Sequence, residues 1–116
     1  MPSSAEAALL HIRDNILFAC EIVADLDYEA FEHDRIRFYA ATRCLEIISE
    51  AARRLRAGLS GRHPDIPWRQ IMDAGNFYRH NYDGVHERIV FGTIRESLPA
   101  LLSAVEIEIA RTGSKE

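Results

Sequence analysis

Phe38-Tyr39-Ala40-Ala41-Thr42-Arg43-Cys44-Leu45-Glu46-Ile47-Ile48-Ser49-Glu50-Ala51-Ala52 is the run on which the fold turns. Phe38, Ala41, Leu45, Ile48 and Ala52 recur at intervals of three and four, which lays one apolar stripe along an α-helix. Leu55 and Leu59 extend the stripe. Asp34 can open this helix and Gly58 is a natural C-terminal stop, so the spacing predicts a helix over 34–57.

Upstream, Leu9, Ile12, Ile16, Ala19, Val23 and Leu26 trace a second stripe over 4–26. Ser3 or Ser4 can cap its start, and Glu6 complements the positive helix end. Asp27 can cap a short helix over 28–33 that tucks Tyr28 and Phe31 inward. Downstream, Ser60-Gly61-Arg62-His63-Pro64-Asp65-Ile66 is dense in turn residues. Pro67 fits the first turn of a further helix, expected to reach about His80. Asp83-Gly84 breaks the chain. A last helix is expected over 86–111, with a bend where Pro99 removes a backbone hydrogen bond. No segment alternates with period two long enough for a strand. The expected fold is all-α, an up-down bundle of four to five helices forming one domain over 1–112, with a short tail over 113–116.

Hydrophobic content of 47% and charge of 28% are ordinary for a soluble globular protein. No apolar run approaches the roughly 20 residues a membrane helix needs. Ala7-Ala8-Leu9-Leu10 is broken at once by His11, Arg13 and Asp14, unlike a signal peptide. A reducing, cytoplasmic setting is therefore expected. Cys20 and Cys44 lie in helix-periodic stretches without C-x-x-C spacing and read as small buried hydrophobes.

The net charge of −4 hides an asymmetry: from Arg53 to Arg95 eight arginines face four acids, so the remainder carries −8. A basic zone suits a polyanion such as RNA. The same arginines, thirteen in the chain against one lysine, can equally sit on solvated helix faces, and a linear window does not separate the two readings.

Several chemistries are excluded by spacing. A di-iron bundle needs Glu three residues before His. The residues at that offset from His11, His33, His63, His80 and His86 are Ala8, Ala30, Ser60, Phe77 and Asp83. No thiolate or histidine pair has zinc spacing, and no G-x-x-x-x-G-K-[ST] loop is present. No metal or cofactor is expected.

What remains is Gly75-Asn76-Phe77-Tyr78-Arg79-His80-Asn81-Tyr82, which gathers an imidazole, a guanidinium, phenols and amides near one helix end. A phosphate-handling site needs groups that donate protons, accept them and stabilise negative charge. Read blandly, His80 caps carbonyls, Tyr82 is a rim aromatic and Asn76 a turn amide. Glu46 and Glu50, one turn apart, form a salt-bridged face or orient His80 or Arg79 as supporting groups.

Taken together, Leu45 to Ala52, His63-Pro64-Asp65-Ile66-Pro67-Trp68, Asn76 with His80 and Tyr82, and Ser97-Leu98-Pro99-Ala100-Leu101 resemble the HepT-like branch of the HEPN superfamily. That family shows L-E-I-I-G-E-A-A, H-P-x-I-P-W, R-N-x-x-x-H-x-Y and D-L-P-x-L in this order. The resemblance implies a helical-bundle toxin of a toxin–antitoxin pair, a homodimer or larger assembly, and a metal-independent endoribonuclease acting on RNA. It implies a small nucleotidyltransferase-fold antitoxin as partner, which in some systems adenylylates the motif tyrosine. By position, His80 is the catalytic histidine, Asn76 the motif amide and Tyr82 the modification target. The chain departs from the pattern at Gly75, where the family has arginine, and at Ser49, where it has glycine. Arg79 can supply the guanidinium from another backbone position. A second spacing, from Arg79 to His86, breaks the Asn and Tyr positions. The alternative implied is a catalytically lapsed module that keeps its antitoxin-binding surface and Tyr82.

Overall fold

The computed structural model describes residues 3–76 and 85–113, the side chains of 56, 57, 85 and 113 excepted. The described residues are mostly helical and contain no strand. The elements are α1 (Ser4–Val23), α2 (Tyr28–Glu32), α3 (Arg35–Arg54), α4 (Arg56–Arg62), α5 (Trp68–Ala74), α6 (Val85–Gly92), a π-helical turn (Thr93–Ser97) and α7 (Leu98–Gly113).

Three helix starts follow from short polar side chains, as the sequence predicts. Ser3 Oγ accepts from the Glu6 N–H at 3.1 Å, Asp27 Oδ1 from Ala30 at 2.8 Å and Asp34 Oδ1 from Arg37 at 3.0 Å. Each satisfies one N–H that the first helical turn leaves unpaired. The end of α1 has no glycine, and its carbonyls are satisfied from a distance. Arg37 donates to Ile22 O and Arg95 to Val23 O, each at 2.8 Å, and Arg95 also reaches Leu26 O. Replacing Arg95 by methionine keeps an apolar stem beside Phe91, over which the guanidinium lies, but deletes both donors. That substitution should cost about 1–3 kcal/mol, read as a lower denaturation midpoint in urea.

The apolar stripes meet in one core. Ile12, Ile16, Phe31, Leu45, Ile48, Ile71, Ile94, Leu98 and Leu101 are fully buried. Cys44 is buried and Cys20 half-buried, both as free thiols, and burial pushes the Cys44 thiol up to about 11. The contacts fix the direction of each helix. Arg37, at the start of α3, meets the end of α1, whereas His11 shares a surface pocket with Glu50 and Arg54. Ser49 meets Ile71, and Leu45 meets Gly75 beyond it, so α5 runs back along α3. Arg95 touches the end of α1 and Glu108 the end of α4, so α6 and α7 run back again. The order is up, down, up, down.

Four boundaries differ from expectation, the first being that α1, expected over 4–26, ends at Val23. The helix predicted over 34–57 breaks at Leu55 and restarts as α4, with Gly58 inside it rather than at a stop. The break re-aims the chain so that Leu59 enters the core and Arg62 reaches Glu108. The helix predicted to reach His80 ends at Ala74 with Gly75 as its cap; 77–80 fall outside the described residues. Around Pro99 the helix widens: Leu98 N–H donates to Thr93 O, five residues back, in the π-turn that leads into α7.

Candidate active site at the end of α5

Pro67 holds φ at −77° and occupies the cap position of α5, one residue earlier than expected. Trp68 opens the helix, and its indole Nε1–H donates to His63 O at 2.9 Å, which fixes the ring against the loop. Seven residues on, Gly75 closes α5, its N–H donating to Ile71 O and Met72 O at 3.3 and 3.2 Å. Gly75 is buried. A Cβ there would lie 2.2 Å from Ser49 Oγ and 2.9 Å from Leu45 O. No side chain fits without displacing α3 or α5.

Asn76 follows, half-buried, its N–H donating to Asp73 O at 3.1 Å. Arg79, His80 and Tyr82 lie outside the described residues. Glu46 is half-buried and lies 3.7 Å from Arg43, and the exposed Glu50 lies 3.7 Å from Arg54. Both carboxylates thus take part in ion pairs along α3. His86 is 2% exposed and stands edge-on to Phe38, ring centroids 5.5 Å apart. An imidazole so enclosed does not meet a polymer phosphate. Among the described residues no three His, Cys, Asp or Glu side chains converge to hold a metal ion.

The arginine zone divides in three dimensions. Arg54 pairs with Glu50, Arg62 with Glu108, and Arg95 holds the end of α1. Arg53, Arg69 and Arg88 instead line two clefts, of about 520 and 1000 Å³, that share Trp68 and Arg69 as a common wall. The larger one runs between α5 and α6.

A model of the family described as ribonuclease HepT-like matches residues 12–107, which include α5 and the octet. The chain belongs to that family. A Methanocaldococcus jannaschii protein, provisionally named as an RNase, is 29% identical over 88% of this chain and 94% of its own length. The Thermococcus cleftensis protein named "Probable ribonuclease HepT" is 31% identical over 91% of this chain and 96% of its own. Another protein provisionally named as an RNase, from Caldanaerobacter subterraneus subsp. tengcongensis, is 34% identical over 84% of this chain and 88% of its own. No solved structure shows significant similarity.

In this HepT-like chain the two positions that the sequence resemblance sets against a glycine and an arginine, Ser49 and Gly75, lie side by side. The Ser49 hydroxyl fills the space a side chain at 75 would need. A guanidinium at position 75 would require α3 or α5 to shift. The HepT-like bundle also carries a polar cluster that sequence reasoning missed. Glu108 is 3% exposed on α7. Its carboxylate accepts from Arg62 Nη2 at 2.7 Å and Nε at 3.0 Å and from His63 Nε2 at 2.8 Å, with Arg111 at 3.5 Å. The Arg62 hydrogen bond outweighs desolvation and, with His63 and Arg111, holds the carboxyl down at about 2. The cluster ties α4 and the following loop to α7, and so places His63, the acceptor for the Trp68 indole. A charge on the buried stripe of Leu98, Leu101 and Val105 was its signal in the sequence.

Proposed function

We propose that this chain is a metal-independent endoribonuclease and the toxin of a toxin–antitoxin pair. Membership of the ribonuclease HepT-like family over residues 12–107 carries the reading, together with the retained spacing Asn76, His80, Tyr82. The ribose 2′-OH attacks the adjacent phosphorus and the 5′-oxygen leaves, giving a cyclic phosphate and a 5′-hydroxyl. His80 moves the proton, its intrinsic pKa lying near working pH. Arg79 neutralises charge on the phosphate oxygens through a planar, two-pronged guanidinium. Asn76, at the fixed end of α5, positions the substrate, and Glu46 and Glu50 support from α3. Two copies related by a two-fold axis would pair their octets. A nucleotidyltransferase-fold antitoxin restrains the enzyme by adenylylating Tyr82. The free thiols Cys20 and Cys44 suit a reducing cytoplasm.

Incubation of the protein with RNA in EDTA tests this. Cleavage to cyclic-phosphate ends, lost in His80→Ala, is the expected result; a 2′-deoxy substrate should remain intact. Intact RNA at high protein concentration would sink it. The packing at Gly75 favours a second reading, a lapsed module that binds the antitoxin and is modified on Tyr82 without cutting RNA. Mass spectrometry after incubation with ATP and the cognate nucleotidyltransferase distinguishes them: AMP on Tyr82 with no cleavage by the unmodified protein supports the lapsed module.

A further inference from the structure

We infer that the two clefts sharing Trp68 and Arg69 form a binding track for single-stranded RNA, with one base stacked on the Trp68 indole and the backbone held by Arg53 and Arg69. The inference rests on the ribonuclease reading for the choice of RNA over other polyanions. Trp68 is half-buried, and its ring edge is pinned to His63 O while its surface contributes to both clefts. An aromatic face whose orientation is already fixed loses little freedom when a base stacks on it, and such stacking tolerates any sequence.

Charge and shape divide the labour between the clefts. The smaller one presents Arg53 and Arg69, both exposed, with Met72 and Ala52 as its floor. Neither arginine has an ion-pair partner among the described residues, unlike Arg54 and Arg62 on the neighbouring turns. Unpaired guanidiniums beside an aromatic suit a phosphodiester backbone. The larger cleft is apolar along Ile66 and Ile89 and is balanced in charge, Arg69 and Arg88 facing Asp73 and Glu96. That composition suits a base, which is neutral, flat and edged with donors that a carboxylate accepts. Arg88 lies over the Tyr28 ring at 4.4 Å, which holds its guanidinium at the cleft wall. Asp73 lies two residues before Gly75, so the track leads to the end of α5 where the octet begins.

Trp68 is the only tryptophan in the chain, so fluorescence excited at the red edge, where tyrosine does not absorb, reports on this ring alone. The test titrates the full chain with a 2′-O-methyl oligoribonucleotide, which can bind but has no free 2′-OH to attack. Saturable quenching of Trp68 is expected, with affinity falling at least tenfold in Arg53→Ala/Arg69→Ala and decreasing as salt rises. Both substitutions are at exposed positions, and circular dichroism checks that the bundle is intact. Absence of quenching, equal quenching by an abasic strand or by duplex RNA, or an unchanged affinity in the double variant overturns the inference. Quenching without cleavage of ordinary RNA leaves the track standing and removes the nuclease. Cleavage without quenching does the reverse.

Discussion

Gly75→Arg, which writes the family's arginine into this chain, is expected to destabilise the bundle by at least about 3 kcal/mol. Overpacking a buried position usually costs about 1–3 kcal/mol, and a charge with no room for a partner adds to it. The new Cβ alone would lie 2.2 Å from Ser49 Oγ and 3.0 Å from Ser49 Cβ. Ser49→Gly on its own should cost only about 0.5–1 kcal/mol, the usual penalty of glycine inside a helix. Combined, the two should cost about 1–3 kcal/mol less than their sum, because Ser49 supplies two of the three obstructing atoms. Full recovery is not expected, since Leu45 O stays 2.9 Å from the Cβ position and α5 must shift by a few tenths of an ångström. Urea denaturation of the wild type, both singles and the double completes the cycle. Additive losses would mean that the Ser49 contact does not explain the missing arginine.

Removing the Glu108 carboxylate is the second large change. Glu108→Gln keeps the shape but leaves Arg62, His63 and Arg111 around a neutral amide, with an expected cost of about 2–4 kcal/mol. The acid limb of stability follows from the same group. Its carboxyl is held at about 2 when folded, against 4.5 for the unperturbed group. A depressed pKa stabilises the folded state above the unfolded value, so the contribution is full above about pH 5 and is lost as pH falls towards 2. The loss should be about 2–4 kcal/mol. Stability measured between pH 7 and 2 should therefore fall less steeply in Glu108→Gln than in the wild type. Parallel acid limbs would show that the cluster contributes little.

Local chemistry was legible in the sequence and distant chemistry was not. Ser3, Asp27 and Asp34 cap N–H groups three residues away, so their spacing alone predicts the helix starts. Leu9 to Val23 and Phe38 to Ala52 bury as their periodicity requires. Arg37 and Arg95 close α1 from 15 and 72 residues away, and neither shares a helix or turn with its partner. Gly58 looks like a helix stop and lies inside α4, whereas Gly75 falls within an expected helix and ends α5; only packing separates the two. The π-turn did leave a trace, since His86, Val90, Ile94 and Leu98 advance by four each time, too wide for one straight α-helical stripe. At the site, the Asn76, His80, Tyr82 pattern is a sequence observation, whereas the wall formed by Trp68 and Arg69 needed three dimensions.

The ties that hold the bundle also bear on the order in which it is expected to assemble. Arg37 closes on Ile22 across 15 residues, Arg62 on Glu108 across 46 and Arg95 on Val23 across 72, and closing a longer loop costs more entropy. On loop closure alone, a hairpin of α1 and α3 is expected to assemble before the two longer ties close. Interactions made after the folding barrier govern how long the folded state survives rather than how fast it appears. The carboxylate on α7 is then expected to act as a late latch: Glu108→Gln should unfold faster than the wild type while folding at nearly the same rate.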